Sequence, residues 1–135
     1  MRIKKIIIPA LVSLIFLLCG AVNYLLFQPR MGLIQQLNIP IQHVRISDPY
    51  LRIFMTCYFS DICWCAALCL AVLALSRAQN LRRPVKITML LVPFMAETCQ
   101  YFNIIYGTFD LWDLVVYGVT VLLMIVLFPT IITKT

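Results

Sequence analysis

The stretch Ile6–Phe27, IIIPALVSLIFLLCGAVNYLLF, carries no charge from end to end. A helix rises about 1.5 Å per residue, and a hydrocarbon core takes roughly 20 helical residues to cross. The run is long enough for that. It also lacks period-2 polarity, which excludes a barrel strand alternating over about 10 residues. Three runs of similar length follow. Ile53–Leu75 is interrupted only by Asp61, Ile87–Tyr106 holds Glu97, and Leu111–Ile132 has Asp113 in its first turn. The composition agrees, with 63% hydrophobic and 12% charged residues among 135, against roughly 25% charged in an ordinary soluble domain. The fold expected is all-α: a polytopic four-helix transmembrane bundle, one domain over 1–135. Its helices fall at about 6–27, 53–75, 87–106 and 111–132, with a single long outer loop over 28–52.

Arg2, Lys4 and Lys5 ahead of the first run would suit a signal peptide. The run is longer than a signal core, however, and lacks an A-x-A site, so an uncleaved first helix is expected. Orientation follows from counting. If four helices alternate, Arg2, Lys4, Lys5, Arg77, Arg82, Arg83, Lys86 and Lys134 share one side, and Arg30, Arg45 and Arg52 the other. Positive charge accumulates on the cytoplasmic side, so both termini are expected there. The basic residues sit in short clusters between apolar runs and make no nucleic-acid footprint. Arg77, Arg82, Arg83 and Lys86 read as a topology signal that touches anionic headgroups. In the outer loop, Met31–Ile46 is moderately apolar and contains Pro40. It reads as an interfacial lid or a solvated loop, with His43 as a surface or lid residue.

No acid lies on the cytoplasmic side: Asp48, Asp110 and Asp113 are outer, and Asp61 and Glu97 are intramembrane. An acid in apolar membrane costs about 2.5–3.5 kcal/mol on insertion scales, so it faces a protein interior or a wet cavity. Gln100 and Asn103 follow Glu97 at three-residue steps, making a polar track toward the outer surface. Cys57, Cys65 and Cys69 share the face of Asp61 by four-residue spacing, which suggests packing around a narrow polar interior. In Gly107-Thr108-Phe109-Asp110-Leu111-Trp112-Asp113, Gly107 is expected to end the third helix and Thr108 or Asp110 to cap the fourth. Trp112 suits the interface. Capping needs one aspartate, and here there are two. Asp61, Glu97, Gln100, Asp110 and Asp113 are therefore the candidate catalytic constellation, with a protonated acid available as hydrogen-bond donor or general acid. Arg45, Arg52, Asn103 and Trp112 are candidate substrate contacts, the arginines for phosphate. The ligand facing the acids is cationic or phosphate-bearing, and the carboxylates could also hold a divalent cation. Cys63 and Cys65 read C-x-C but point to different sides of a helix, so they make no zinc site. No cysteine lies in the outer loop, and disulfides are not expected.

Glu97-Thr98-Cys99-Gln100, then Gly107 to Asp113, then Tyr117-Gly118 resembles the C-terminal signature of the VanZ-like membrane proteins. Their pattern is a Glu-x-x-Gln in the outer half of one helix, a short turn, a paired Asp-x-x-Asp opening the next helix, then Asn and Gly. Glu97, Gln100, Asp110, Asp113 and Gly118 fall in place, Tyr117 stands near the usual Asn, and the Arg common in the turn is missing. Asp61 with Trp64 is similar to the acidic opening of the second helix in small relatives. The motif covers about 22 residues. Some members are associated with glycopeptide antibiotic resistance, and most have no assigned activity. The resemblance implies a multi-pass protein of the bacterial inner membrane with a cell-envelope role.

Three functions compete. The first is an outward-facing acidic site that binds or modifies a lipid-linked or phosphate-bearing envelope molecule. The second is a non-catalytic accessory, immunity or interaction subunit, with a protein partner or a second copy. The third is proton-coupled transport, for which four helices without inverted repeats leave little room outside an oligomer.

Overall fold

A computed structural model describes residues 2–27, 44–105 and 109–133. Among the described residues are four long helices. The first, α1, spans Arg2–Phe27. The second, α2, runs over Pro49–Gln79, a continuous 31 residues with a π-helical stretch at Phe54–Tyr58. Then come α3, Arg83–Tyr101, and α4, Leu111–Leu127, with a short 3-10 turn at Pro129–Ile131. There is no strand among the described residues. Two helices, over Ile3–Phe27 and Pro49–Gln79, are long and apolar enough to cross a membrane, and Leu111–Leu127 is apolar but shorter.

The centre of the molecule is α2, against which α1, α3, α4 and the 3-10 turn all pack. Its buried residues cover most of the way around the helix, among them Cys63, Cys65, Ala66, Ala67, Cys69, Leu70, Val72, Leu73 and Ala74, as expected for a helix largely enclosed by others. Most are small, which lets neighbouring backbones come close. A polar seam joins α1 to α2. Ser13 Oγ donates to the Ala67 carbonyl at 2.7 Å, and Ser60 Oγ to the Gly20 carbonyl at 3.1 Å. Asn23 Nδ2 donates to the Met55 carbonyl at 2.7 Å and to Ser60 Oγ at 3.0 Å. The remaining faces are apolar and uncovered: Leu11, Leu14, Leu18 and Val22 on α1, Leu91 and Met95 on α3, and Val119, Leu122 and Val126 on α4.

Gly20 sits where α1 crosses the Trp64 indole. A Cβ there would lie 2.5 Å from Trp64 Nε1, and the Tyr24 ring, 5.3 Å away between centroids, backs the indole. Gly20→Ala gains up to about 1 kcal/mol of helix propensity, but overpacking costs about 1–3 kcal/mol. Net destabilisation is expected, and more for Gly20→Leu. Denaturant titration in detergent checks it; unchanged stability for both would mean that the indole swings aside freely.

Several boundaries differ from those the sequence suggests, each for a local reason. The second helix starts at Pro49 rather than near Ile53, because the Asp48 carboxylate accepts from the Leu51 amide at 2.7 Å and Pro49 needs no partner at the first helical position. It continues past Leu75 to Gln79, where Asn80 adopts a left-handed φ of 50° and its amide bonds the Ser76 carbonyl. The third helix ends at Tyr101, not Tyr106. Asn103, at φ 55°, donates to the Gln100 carbonyl and Ile104 to the Cys99 carbonyl, the paired bonds of a Schellman termination with Asn in the place usually taken by Gly. Gly107 and Thr108 lie outside the described residues, as do residues 28–43 of the outer loop, which hold Pro40, His43 and most of the candidate lid Met31–Ile46. The fourth helix stops at Leu127, and Pro129 opens the 3-10 turn. Lys86, read from sequence as part of a surface basic patch, is only 1% exposed. Its ammonium donates to the Thr133 carbonyl at 2.8 Å and the Thr130 carbonyl at 3.3 Å, closing the C-terminal end of α4.

A candidate acidic recess

Asp110 caps α4: its carboxylate accepts from the Trp112 amide at 2.9 Å. That cap sets the rotation of the helix. Asp113 and Tyr117, four residues apart, then share one face. From that face the Tyr117 hydroxyl donates to Asp61 Oδ1 on α2 at 3.2 Å. The Tyr117 ring also meets Phe94 of α3 edge-on, with centroids 6.0 Å apart. One turn beyond Phe94 on α3 stands Glu97, 4% exposed. Its carboxyl lies beside the Asp110 backbone amide, yet Glu97 Oε2 is buried without a hydrogen-bond partner.

Charge defines this region. Asp113 lies within electrostatic reach of Asp61, Glu97 and Asp110, and Asp61 within reach of Glu97. Tyr24 of α1 feels Asp61, and Tyr58 of α2 feels Asp110 and Asp113. Four of the chain's five acidic residues thus gather at one end of the bundle, and among the described residues no cation acts on Asp61, Glu97 or Asp113. Carboxyl groups taken out of water without a countercharge need shared protons or a positive group from outside. Among the described residues no three His, Cys, Asp or Glu side chains are placed to hold a metal ion.

The other candidate residues divide. Gln100 is half-buried on α3, one turn past Glu97. Asn103 is exposed and lies beyond the helix end in its left-handed turn, so the polar track loses helical register after Gln100. Trp112 is exposed in the first turn of α4. Arg45 and Arg52 are exposed on and just before the start of α2, and neither is among the charges acting on the acids. Cys57 is exposed while Cys65 and Cys69 are buried. The π-helical stretch at Phe54–Tyr58 widens the local turn, which breaks the four-residue register that would align Cys57 with Asp61. All six cysteines are free thiols.

Tyr117, Phe94, Tyr58 and Tyr24 were not among the candidates. For Tyr117 a signal existed, its four-residue step from Asp113. For Tyr24 and Tyr58 none did, because their proximity depends on how α1 crosses α2.

A second feature adjoins the recess. A cavity of about 330 Å³ runs between α3 and α4, lined almost wholly by apolar side chains, with Leu90, Leu91, Phe94, Val121 and Leu122 among them, and by Gly118. Phe94 belongs to both places, and Gly118 follows Tyr117 in the chain. A Cβ at Gly118 would meet nothing within 4 Å. Compared with known proteins, the chain matches no family model, no curated protein and no solved structure.

Proposed function

We propose that this chain crosses a bacterial inner membrane four times with both termini cytoplasmic, and that its outward acidic recess binds the polar head of a lipid-linked envelope molecule. Apolar outer faces on α1, α3 and α4, around a long apolar α2, support the crossings. At about 1.5 Å per residue, the 17 residues of α4 reach roughly 26 Å, close to a hydrocarbon core of about 30 Å.

The continuity of recess and groove carries the reading of the ligand. Phe94 lines the apolar slot and meets the Tyr117 ring, and Glu97 follows one turn beyond Phe94 on α3. That is the shape of a site for an amphiphile, head among carboxyls and chain between α3 and α4. Four acids favour an amine-bearing head. A bare phosphate would need Arg45 and Arg52, which are exposed and are not among the charges acting on Asp61, Glu97 and Asp113. Of the residues that resemble the VanZ-like pattern, Glu97, Asp110 and Asp113 belong to the recess and Gly118 to the groove. Neighbouring carboxyls also suit proton transfer to and from a bound head, so modification of the ligand is open to the same site.

Gly118→Leu tests the reading. Open space at Gly118 allows the chain to fold, and the new side chain fills the groove. Lipids that copurify with wild type and variant are extracted and identified by mass spectrometry. An amine-bearing amphiphile enriched at least tenfold over the bulk membrane, and lost from Gly118→Leu at unchanged helicity and thermal stability, is the expected outcome. Identical lipids in both would refute the reading. A protein partner retained by both would then favour an accessory subunit.

A further inference from the structure

At the end of the bundle opposite the acids lies a cavity of about 630 Å³, between the first turn of α1, the last turn of α2 and the 3-10 turn. Lys5, Ser76, Arg77, Asn80 and Thr130 line it. Arg77 Nη1 donates to the Lys5 backbone carbonyl at 2.9 Å, which fixes the guanidinium at the wall. One of its five donors is engaged in this way. The Ser76 hydroxyl donates its proton to the Val72 carbonyl at 2.6 Å, so it offers the cavity no donor and the positive groups there are Arg77 and Lys5. Behind the wall, the Lys86 ammonium holds the Thr130 carbonyl, a third positive charge at this end.

Among the side chains of the described residues no carboxylate opposes them. Asp48 caps α2 at its far end, and the other four acids form the recess. A concave site with a pinned guanidinium and a flexible ammonium fits a phosphate group, which a guanidinium meets with two parallel hydrogen bonds. In the proposed orientation this end meets the cytoplasmic leaflet, whose headgroups are anionic. We infer that the cavity between Lys5, Arg77 and Thr130 binds the phosphate of an anionic phospholipid. The inference rests on the proposed membrane orientation and not on any ligand in the acidic recess.

Native mass spectrometry of the whole protein in neutral detergent tests it. The probes are phosphatidylglycerol, zwitterionic phosphatidylcholine with the same chains, glycerol phosphate and inorganic phosphate. Phosphatidylglycerol is expected to be retained at least fivefold more than phosphatidylcholine. Arg77→Gln and Lys5→Gln should each remove most of that preference, and Arg77→Lys should keep part of it. Ala78→Glu places a carboxylate in the cavity lining from an exposed position, so it should abolish the preference even if Arg77→Gln does not fold. Displacement by glycerol phosphate or inorganic phosphate at millimolar concentration would support the phosphate site and assign it to a free ligand; resistance to both would assign it to the lipid. Equal retention of the two lipids, or full phosphatidylglycerol binding by Ala78→Glu, would overturn the inference. Loss of the Gly118-dependent lipid with this preference intact would affect the acidic recess alone.

Discussion

Glu97→Gln is expected to leave the chain folded and to lower retention of the amine-bearing amphiphile at least tenfold. Gln has the shape of Glu, and the residue sits on α3 with one carboxyl oxygen buried and unpartnered, so no hydrogen bond to that oxygen is broken by the change. The difference is charge. A hydrogen bond to a charged group contributes about 1.5–3 kcal/mol, which corresponds to roughly 10- to 150-fold in binding. Asp113→Asn should act in the same direction, because Asp113 is the residue within reach of all three other acids. Stability separates function from structure here. Removing one of several uncompensated carboxyls relieves repulsion, so thermal unfolding should rise or stay level while binding falls. That opposition is characteristic of a site whose local conflict is maintained for function. If instead Glu97 and Asp113 served the fold alone, both variants would shift stability and leave lipid retention untouched. Full retention in both would end the case for the recess.

Much of the helical arrangement is legible in the chain because long apolar runs with little charge and no period-2 polarity read as helices. Asp110 as the cap of α4 is readable too, since its carboxylate needs only the amide two residues on. The proximity of Asp61 to Glu97 follows from cost: an acid avoids lipid, so acids on neighbouring helices tend to meet inside. The helix ends were less legible. Asp48-Pro49 and the left-handed Asn80 and Asn103 are ordinary start and stop signals, but strong hydropathy masks them. Arg45 and Arg52 show the limit of charge counting. Sequence places them on the same side as the acids, yet only tertiary geometry determines distance, and the structure leaves both exposed. The groove is illegible from sequence, because it consists of the space that α3 and α4 fail to fill from Gly118 toward the C-terminal half of α4.

Lys86 carries the second large effect. Lys86→Met is expected to destabilise the protein by about 2–3 kcal/mol and to free the C-terminal turn. Its ammonium is the donor to the Thr130 and Thr133 carbonyls, beyond a helix end whose dipole favours positive charge. Two charge-assisted bonds would contribute about 3–6 kcal/mol together, partly offset by the cost of burying the ammonium. Met keeps most of the apolar stem, so packing against the turn survives and the loss isolates the charge. Ile131, fully buried in the core with Leu73 and Leu90 beside it in the same cluster, should then loosen. Labelling of a cysteine introduced at Thr133 reports that loosening. The six native cysteines react identically in both proteins and serve as the reference. A lysine that merely snorkelled to headgroups would be replaced at under about 0.5 kcal/mol, with no change in labelling. The two outcomes differ by enough to decide whether this residue is a topology charge or the clasp that holds α4 against α2 and α3.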